Sequence, residues 1–168
     1  MADTKISALT ELAAADVDRA ADFLAIVDTG AAATKKITPV NLLNFSPITN
    51  SLSGTVALNN TGAYFTGPTV AQGTAGTWFA SGTVCVIDGN GAADYNVKLW
   101  DGTTVIASAS ATGSAVNVKT VIALSGYIAS PAGNIRISVN NATSTNSLII
   151  ADSSGNGKDS TLTAIRVG

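Results

Sequence analysis

The side chains that most often carry enzyme chemistry are scarce in this chain. It has no histidine. That removes the commonest general base, the Ser-His and Cys-His nucleophile pairs and most zinc sites. Cys85 is the only cysteine, so an intrachain disulfide is impossible. It lies in the apolar run Thr83-Val84-Cys85-Val86-Ile87, where it reads as a buried, inert thiol in a strand. From residue 55 onward the acids are Asp88, Asp94, Asp101, Asp152 and Asp159, with no glutamate. Paired carboxylates can hydrolyse glycosides, but these five fall in loops or at strand ends and read as solubilising loop residues. The sequence therefore predicts a protein that is not an enzyme and that needs no cofactor.

Three further patterns were weighed for binding. Asp88-Gly89-Asn90-Gly91-Ala92-Ala93-Asp94 offers oxygens from Asp88, Asn90 and Asp94, the hard ligands calcium prefers. The EF-hand spacing fails there, because Ala92 stands at its fifth position and no closing glutamate follows. Asp152-Ser153-Ser154-Gly155-Asn156-Gly157 is a similar case, and both read as plain loops rather than metal sites. Neither glycine cluster precedes a helix, so neither is a phosphate loop. The aromatic residues Tyr64, Phe65, Trp78, Phe79, Tyr95, Trp100 and Tyr127 could pack in a core or between subunits, or stack on sugars. Trp100 and Tyr127 are the two candidates for an exposed glycan contact.

Composition narrows the partners. Charged residues make up only 12% of the chain, the formal net charge is −2, and the only adjacent basic pair is Lys35-Lys36. Nucleic-acid binding relies on clustered cations that release phosphate counterions, so no nucleic-acid role is expected. The start, Met1-Ala2-Asp3-Thr4-Lys5, lacks a signal-peptide pattern, and no apolar run approaches a membrane span. The expectation is synthesis in a cytoplasm with no membrane partner. A surface rich in Ser, Thr, Asn, Gly and Ala costs little to desolvate against a partner.

The elements that must position these residues are mostly strands. Tyr95, Val97 and Leu99 alternate with Asn96, Lys98 and Trp100. Ile135, Ile137 and Val139 alternate with Arg136, Ser138 and Asn140. Period two gives one buried and one wet face. Strands are expected near 55–59, 63–70, 77–87, 94–100, 103–110, 115–123, 134–140 and 147–151, with a ninth at 160–167. Asp101-Gly102 suits a two-residue type I′ turn, which would set Leu99 opposite Thr104, Val97 opposite Ile106 and Tyr95 opposite Ser108. So many antiparallel strands without helices predict an all-β fold, an antiparallel β-sandwich of jelly-roll type over residues 55–168.

Residues 1–45 are organised differently, and 46–54 read as a linker. Phe23–Val27 reads as a short strand that turns at Asp28-Thr29-Gly30 and returns through Thr34–Thr38 as a hairpin. Thr38 and Pro39 can then open a short helix through Leu42-Leu43. This unit is too small to bury its own apolar residues, so Leu24, Ile26, Ile37, Leu42 and Leu43 want a partner surface.

The same residues carry a resemblance. Lys5-Ile6-Ser7-Ala8-Leu9, then Asp22-Phe23-Leu24-Ala25-Ile26-Val27-Asp28, then Thr34-Lys35-Lys36-Ile37-Thr38-Pro39-Val40-Asn41-Leu42-Leu43 resembles a segment common at the start of tailed-bacteriophage virion structural proteins. It is found there in tail fibres, head fibres and decoration proteins. The match covers most of residues 5–43. It implies a virion-attachment module, docked through Leu24, Ile26, Ile37, Leu42 and Leu43 on the major capsid protein or another virion protein. It also implies a homotrimer on the outer surface of the virion. A capsid decoration, or cement, protein is the first expectation. A short tail fibre or receptor-binding tip that recognises a cell-surface glycan is the alternative.

Overall fold

The structure is a computed structural model. It describes residues 24–28, 33–37, 46–152, 154 and 157–168. The chain divides into two compact units, Met1–Asn44 and Phe45–Gly168. In the first, β1 (Leu24–Asp28) and β2 (Ala33–Ile37) form an antiparallel hairpin that pairs Leu24 with Ile37 and Ile26 with Lys35. The hairpin expected from the sequence is present. The short helix expected near Leu42-Leu43 lies outside the described residues.

The second unit holds β3 (Ile48–Ser51), β4 (Val56–Leu58), β5 (Phe65–Val70), β6 (Thr77–Asp88), β7 (Ala93–Trp100), β8 (Val105–Gly113), β9 (Thr120–Ala129), β10 (Ile135–Asn141), β11 (Ser147–Ile149) and β12 (Thr161–Arg166). One sheet runs β5-β10-β7-β8. The other centres on the long strand β6. Along one edge it pairs with β9, and along the other with β12 and then β11; β3 lies outside β12 and β4 outside β11. Numbering the main strands in chain order, with β4 and β11 set aside, gives first-eighth-third-sixth in one sheet and second-seventh-fourth-fifth in the other. That is the jelly-roll connection of two Greek keys. The all-β sandwich expected from the sequence is what forms, and no helix occurs among the described residues.

The core lies between the sheets and follows the alternation. β7 buries Tyr95, Val97 and Leu99, β10 buries Ile135, Ile137 and Val139, and β6 buries Trp78, Ala80, Val84 and Val86. β9 adds Ile122, Leu124 and Ile128, and β12 adds Leu162 and Ala164. Each such Val, Leu or Ile side chain contributes roughly 1.5–3 kcal/mol by leaving water. Trp78 faces this core and donates its indole N–H to Ala75 O at 2.9 Å, whereas Phe79 faces outward.

Three expectations need correction. The stretch 46–54 is not a free linker, because Ile48–Ser51 is β3 and pairs with β12 from Ala164↔Ile48 to Thr161↔Ser51. The strand expected at 115–123 begins at Thr120 and continues to Ala129. Asn117 at φ 57° turns the chain just before it, with its N–H on Asp88 O at 2.7 Å. The β7–β8 connection is not a two-residue turn either. Val97 faces Ala109 and Leu99 faces Ala107, with a bulge between Leu99 and Trp100. The cause is Asp101, whose carboxylate accepts the N–H groups of Thr103 and Thr104 and so caps a longer loop. The core-facing row of β8 is therefore Ala107, Ala109 and Ala111, packed against the core.

Candidate functional site

The outer face of the β5-β10-β7-β8 sheet gathers the most chemically distinctive exposed groups. Because Val97 and Leu99 turn inward, Lys98 and Trp100 turn outward. Strand pairing sets Trp100 opposite Arg136 and Lys98 opposite Ser138. The Trp100 ring lies over β10 and donates its Nε1–H to the buried Ser138 Oγ at 2.9 Å. On β10, Asn140 donates to the carbonyls of Thr61 and Ala63 at 2.7 and 2.9 Å, fixing the turn that delivers Tyr64. Tyr64 is 45% exposed. The Lys98 ammonium sits between two rings, 3.4 Å from the Trp100 centroid and 4.2 Å from that of Tyr64. The Arg136 guanidinium approaches Trp100 at 5.3 Å. Both are within cation–π range.

The carboxylates are engaged elsewhere. Asp101 accepts Thr103 N–H at 2.8 Å, Thr104 N–H at 2.6 Å and, across the sandwich end, Ala132 N–H at 2.7 Å. Burial pushes its carboxyl up, but the N–H groups of Thr104, Ala132 and Thr103 outweigh this and hold it below the usual carboxylate range. Asp88 is buried at the other end. It accepts Asn90 N–H at 2.6 Å, Gly91 N–H at 3.1 Å and the Ser147 hydroxyl at 2.6 Å. Asn141 Nδ2 bridges it to Ser147, whose hydroxyl also meets Tyr95 Oη at 3.2 Å. Burial raises the Asp88 carboxyl, and the Ser147 hydroxyl and the Asn90 N–H lead the donors that bring it below its ordinary value.

The oxygens considered for calcium do not converge. Asp88 is saturated by these donors, Asn90 Oδ1 accepts from Asn146, and Asp94 accepts from the Thr112 hydroxyl. The loop lines an open polar cleft of about 440 Å³ with Thr61, Thr143 and Ser144. Asp152 accepts the N–H and hydroxyl of Ser154, which hold its carboxyl low. Among the described residues no group of three or more His, Cys, Asp or Glu side chains could hold a metal ion. Cys85 is fully buried, and burial followed by the nearby Asp159 pushes its thiol up, against the opposing pull of Lys119.

Tyr127 is placed on the outer face of the other sheet. It is 68% exposed and leans on Phe79 with centroids 4.9 Å apart. Trp100 and Tyr127 thus lie on opposite sides of the sandwich and cannot share one binding site. Around Tyr127, the outward positions of β9, β6, β12 and β3 include Val121, Ala123, Ser125, Phe79, Ser81, Thr83, Thr161, Thr163, Ile165, Thr49 and Ser51, with no charged side chain. Of the expected docking residues, Leu24 and Ile26 lie on β1 and Ile37 on β2, while Leu42 and Leu43 fall outside the described residues. Sequence reasoning placed Lys98 beside Trp100 through their shared phase, but it missed Arg136 and Tyr64 as their neighbours. Only the register Arg136↔Trp100 and the Asn140-anchored turn bring these together.

This geometry defines a jelly-roll β-sandwich with an aromatic and cationic patch on one outer face and, around Tyr127 on the other, strand positions without charge. No family model matches the chain, and no curated protein matches it in sequence. Among solved structures, it is similar to the Eiger TNF from S. frugiperda, at 9% identity and TM-score 0.47, covering 74% of this chain and 93% of that one. The PRD1 vertex protein P5 is similar at 14% identity and TM-score 0.37, over 73% and 96% of the two chains. The C-terminal CBM6 of LamC, a laminarinase from Zobellia galactanivorans, is similar at 10% identity and TM-score 0.35, over 72% and 100%. These likenesses concern the fold alone.

Proposed function

We propose that this is a non-enzymatic structural protein of a tailed-phage virion, a capsid decoration (cement) protein. Its first unit docks on the major capsid protein, and its jelly-roll displays on the outer surface as a homotrimer. What supports the reading is the resemblance of Lys5–Leu9, Asp22–Asp28 and Thr34–Leu43, in that sequence order, to a tailed-phage attachment segment, followed in the chain by one compact sandwich. The sandwich supports it from the other side. Its described carboxylates are engaged in structural hydrogen bonds or an ion pair, and the uncharged field around Tyr127 suits packing against a neighbouring copy at little desolvation cost.

The test is cryo-EM of virions together with incorporation of variants. Density for the sandwich on the capsid is expected. Asp substitutions at Leu24, Ile26, Ile37 and Leu42 should reduce incorporation severalfold while leaving the soluble protein folded. Density confined to the tail would favour the receptor-binding reading, in which Trp100 or Tyr127 is a glycan contact. Unchanged incorporation of all four variants would overturn the docking assignment.

A further inference from the structure

We infer that the Tyr64–Lys98–Trp100–Arg136 patch is a binding site for an acidic sugar, a pyranose carrying a carboxylate. This goes beyond the virion reading and does not depend on it. Two cations share one indole ring on an outer sheet face. Neither forms an ion pair with any described residue. The acids of the described sandwich are turned to other partners: Asp88 and Asp101 to buried donors, Asp94 to Thr112, Asp152 to Ser154 and Asp159 to Lys119 at 2.8 Å. The Nε of Arg136 is buried and lacks a hydrogen-bond partner.

The arrangement selects for charge together with a ring. Lys98 occupies one face of the Trp100 ring, with its ammonium also over Tyr64. A neutral sugar would have to displace the ammonium from two rings and leave it uncompensated. A carboxylate gives the ammonium a stronger partner than an aromatic quadrupole does. It can therefore draw Lys98 off the ring while the apolar C–H face of the same sugar takes its place against Trp100 and Tyr64. Arg136 supplies the second positive charge at the edge of the ring. The indole is held for this by its bond to Ser138, and the tyrosine by the Asn140-anchored turn.

The chain reports its own binding. Of its two tryptophans, Trp78 is buried and Trp100 lies in the patch, so ligand-induced changes in indole emission belong to Trp100. Full-length protein would be titrated with trigalacturonate, with its neutral methyl ester and with an acidic peptide of matched charge. Trigalacturonate should shift the emission, bind at least about tenfold more tightly than the ester, and weaken as salt is raised. Lys98→Met and Arg136→Gln should each weaken binding about tenfold, whereas Lys98→Arg should retain it. Trp100→Phe should abolish the optical signal and weaken binding followed by calorimetry. Circular dichroism would confirm that each variant keeps its sheet. Equal binding of acid and ester would overturn the inference. So would no binding of trigalacturonate at about 10 mM in low salt. An acidic peptide that binds as tightly as the sugar would overturn it too, in favour of a protein partner.

Discussion

At the scale of single residues, Asp101 shows how a side chain that looks like loop decoration becomes structural. It is 3% exposed and ties the β7–β8 connection to the loop before β10 through Ala132 N–H. Gly102 beside it has φ +99°, so the backbone favours glycine there, and Arg136 Nη2 packs 2.3 Å from where a Cβ would sit. Asp101→Asn replaces one acceptor oxygen with an amide that faces N–H donors. We expect it to cost about 2 kcal/mol at neutral pH, read from urea unfolding. The pH dependence has a definite sign. A carboxyl held low in the folded state stabilises fully above its unfolded value of about 3.9 and loses that contribution as pH falls through the folded value. The gap between wild type and Asp101→Asn should therefore be constant from neutral pH to about pH 5 and close below about pH 4. A gap that does not narrow as pH falls below about 4 would mean that the charge of Asp101 is not what stabilises the fold.

At the scale of elements, β6 organises one whole sheet, and its Gly82 marks the closest approach. It pairs with Leu162, and a Cβ placed there would come 2.4 Å from Thr161 O and 3.0 Å from Ile137 Cδ1. Gly82→Ala must push β12 from β6 or Ile137 from the core. The expected loss is about 1–3 kcal/mol, a melting temperature lower by several degrees. An unchanged melt would show that β12 has slack there. The strands of the sandwich were unequally legible in the sequence. β7 and β10 announced themselves because alternating apolar residues are the direct imprint of one buried face. β3 did not, because Ile48-Thr49-Asn50-Ser51 is an edge strand with only one large apolar residue, set behind Ser46-Pro47, and its evidence is the pairing with β12 rather than its own composition. The β8 register was hidden for a different reason. Asp-Gly suits a tight turn, but tertiary demand on Asp101 for Ala132 N–H favours a longer loop that no local pattern encodes. The patch around Trp100 was half legible. Phase placed Lys98 beside the indole, whereas Arg136 and Tyr64 arrive from strands distant in sequence.

At the scale of the molecule, the core of the sandwich is supplied from Leu58 to Ala164, with Ile48 of β3 packed against it. The strand that closes the β12 edge lies at 48–51, just inside the boundary between the two units. Two truncations therefore differ in kind. A chain of residues 45–168 keeps β3, every core residue and the hydrogen bond from Leu52 N–H to Ser160 O at 2.9 Å. It should show the sheet spectrum of the sandwich and melt within about 5 °C of the full chain. A chain of residues 54–168 loses β3 and bares the edge of β12, including the hydroxyl contacts Thr49–Thr163 and Ser51–Thr161. Unpaired edges invite association with other strands, so it should melt earlier and aggregate on heating, as followed by circular dichroism and light scattering. If the 45–168 chain were unfolded, the two units would fold as one cooperative body and the first unit would have a folding role. If the 54–168 chain matched it in stability, β3 would be a passive tether rather than the first strand of the jelly roll. The expected ordering places the working boundary at residue 45 and makes the sandwich a unit that folds without help from the first.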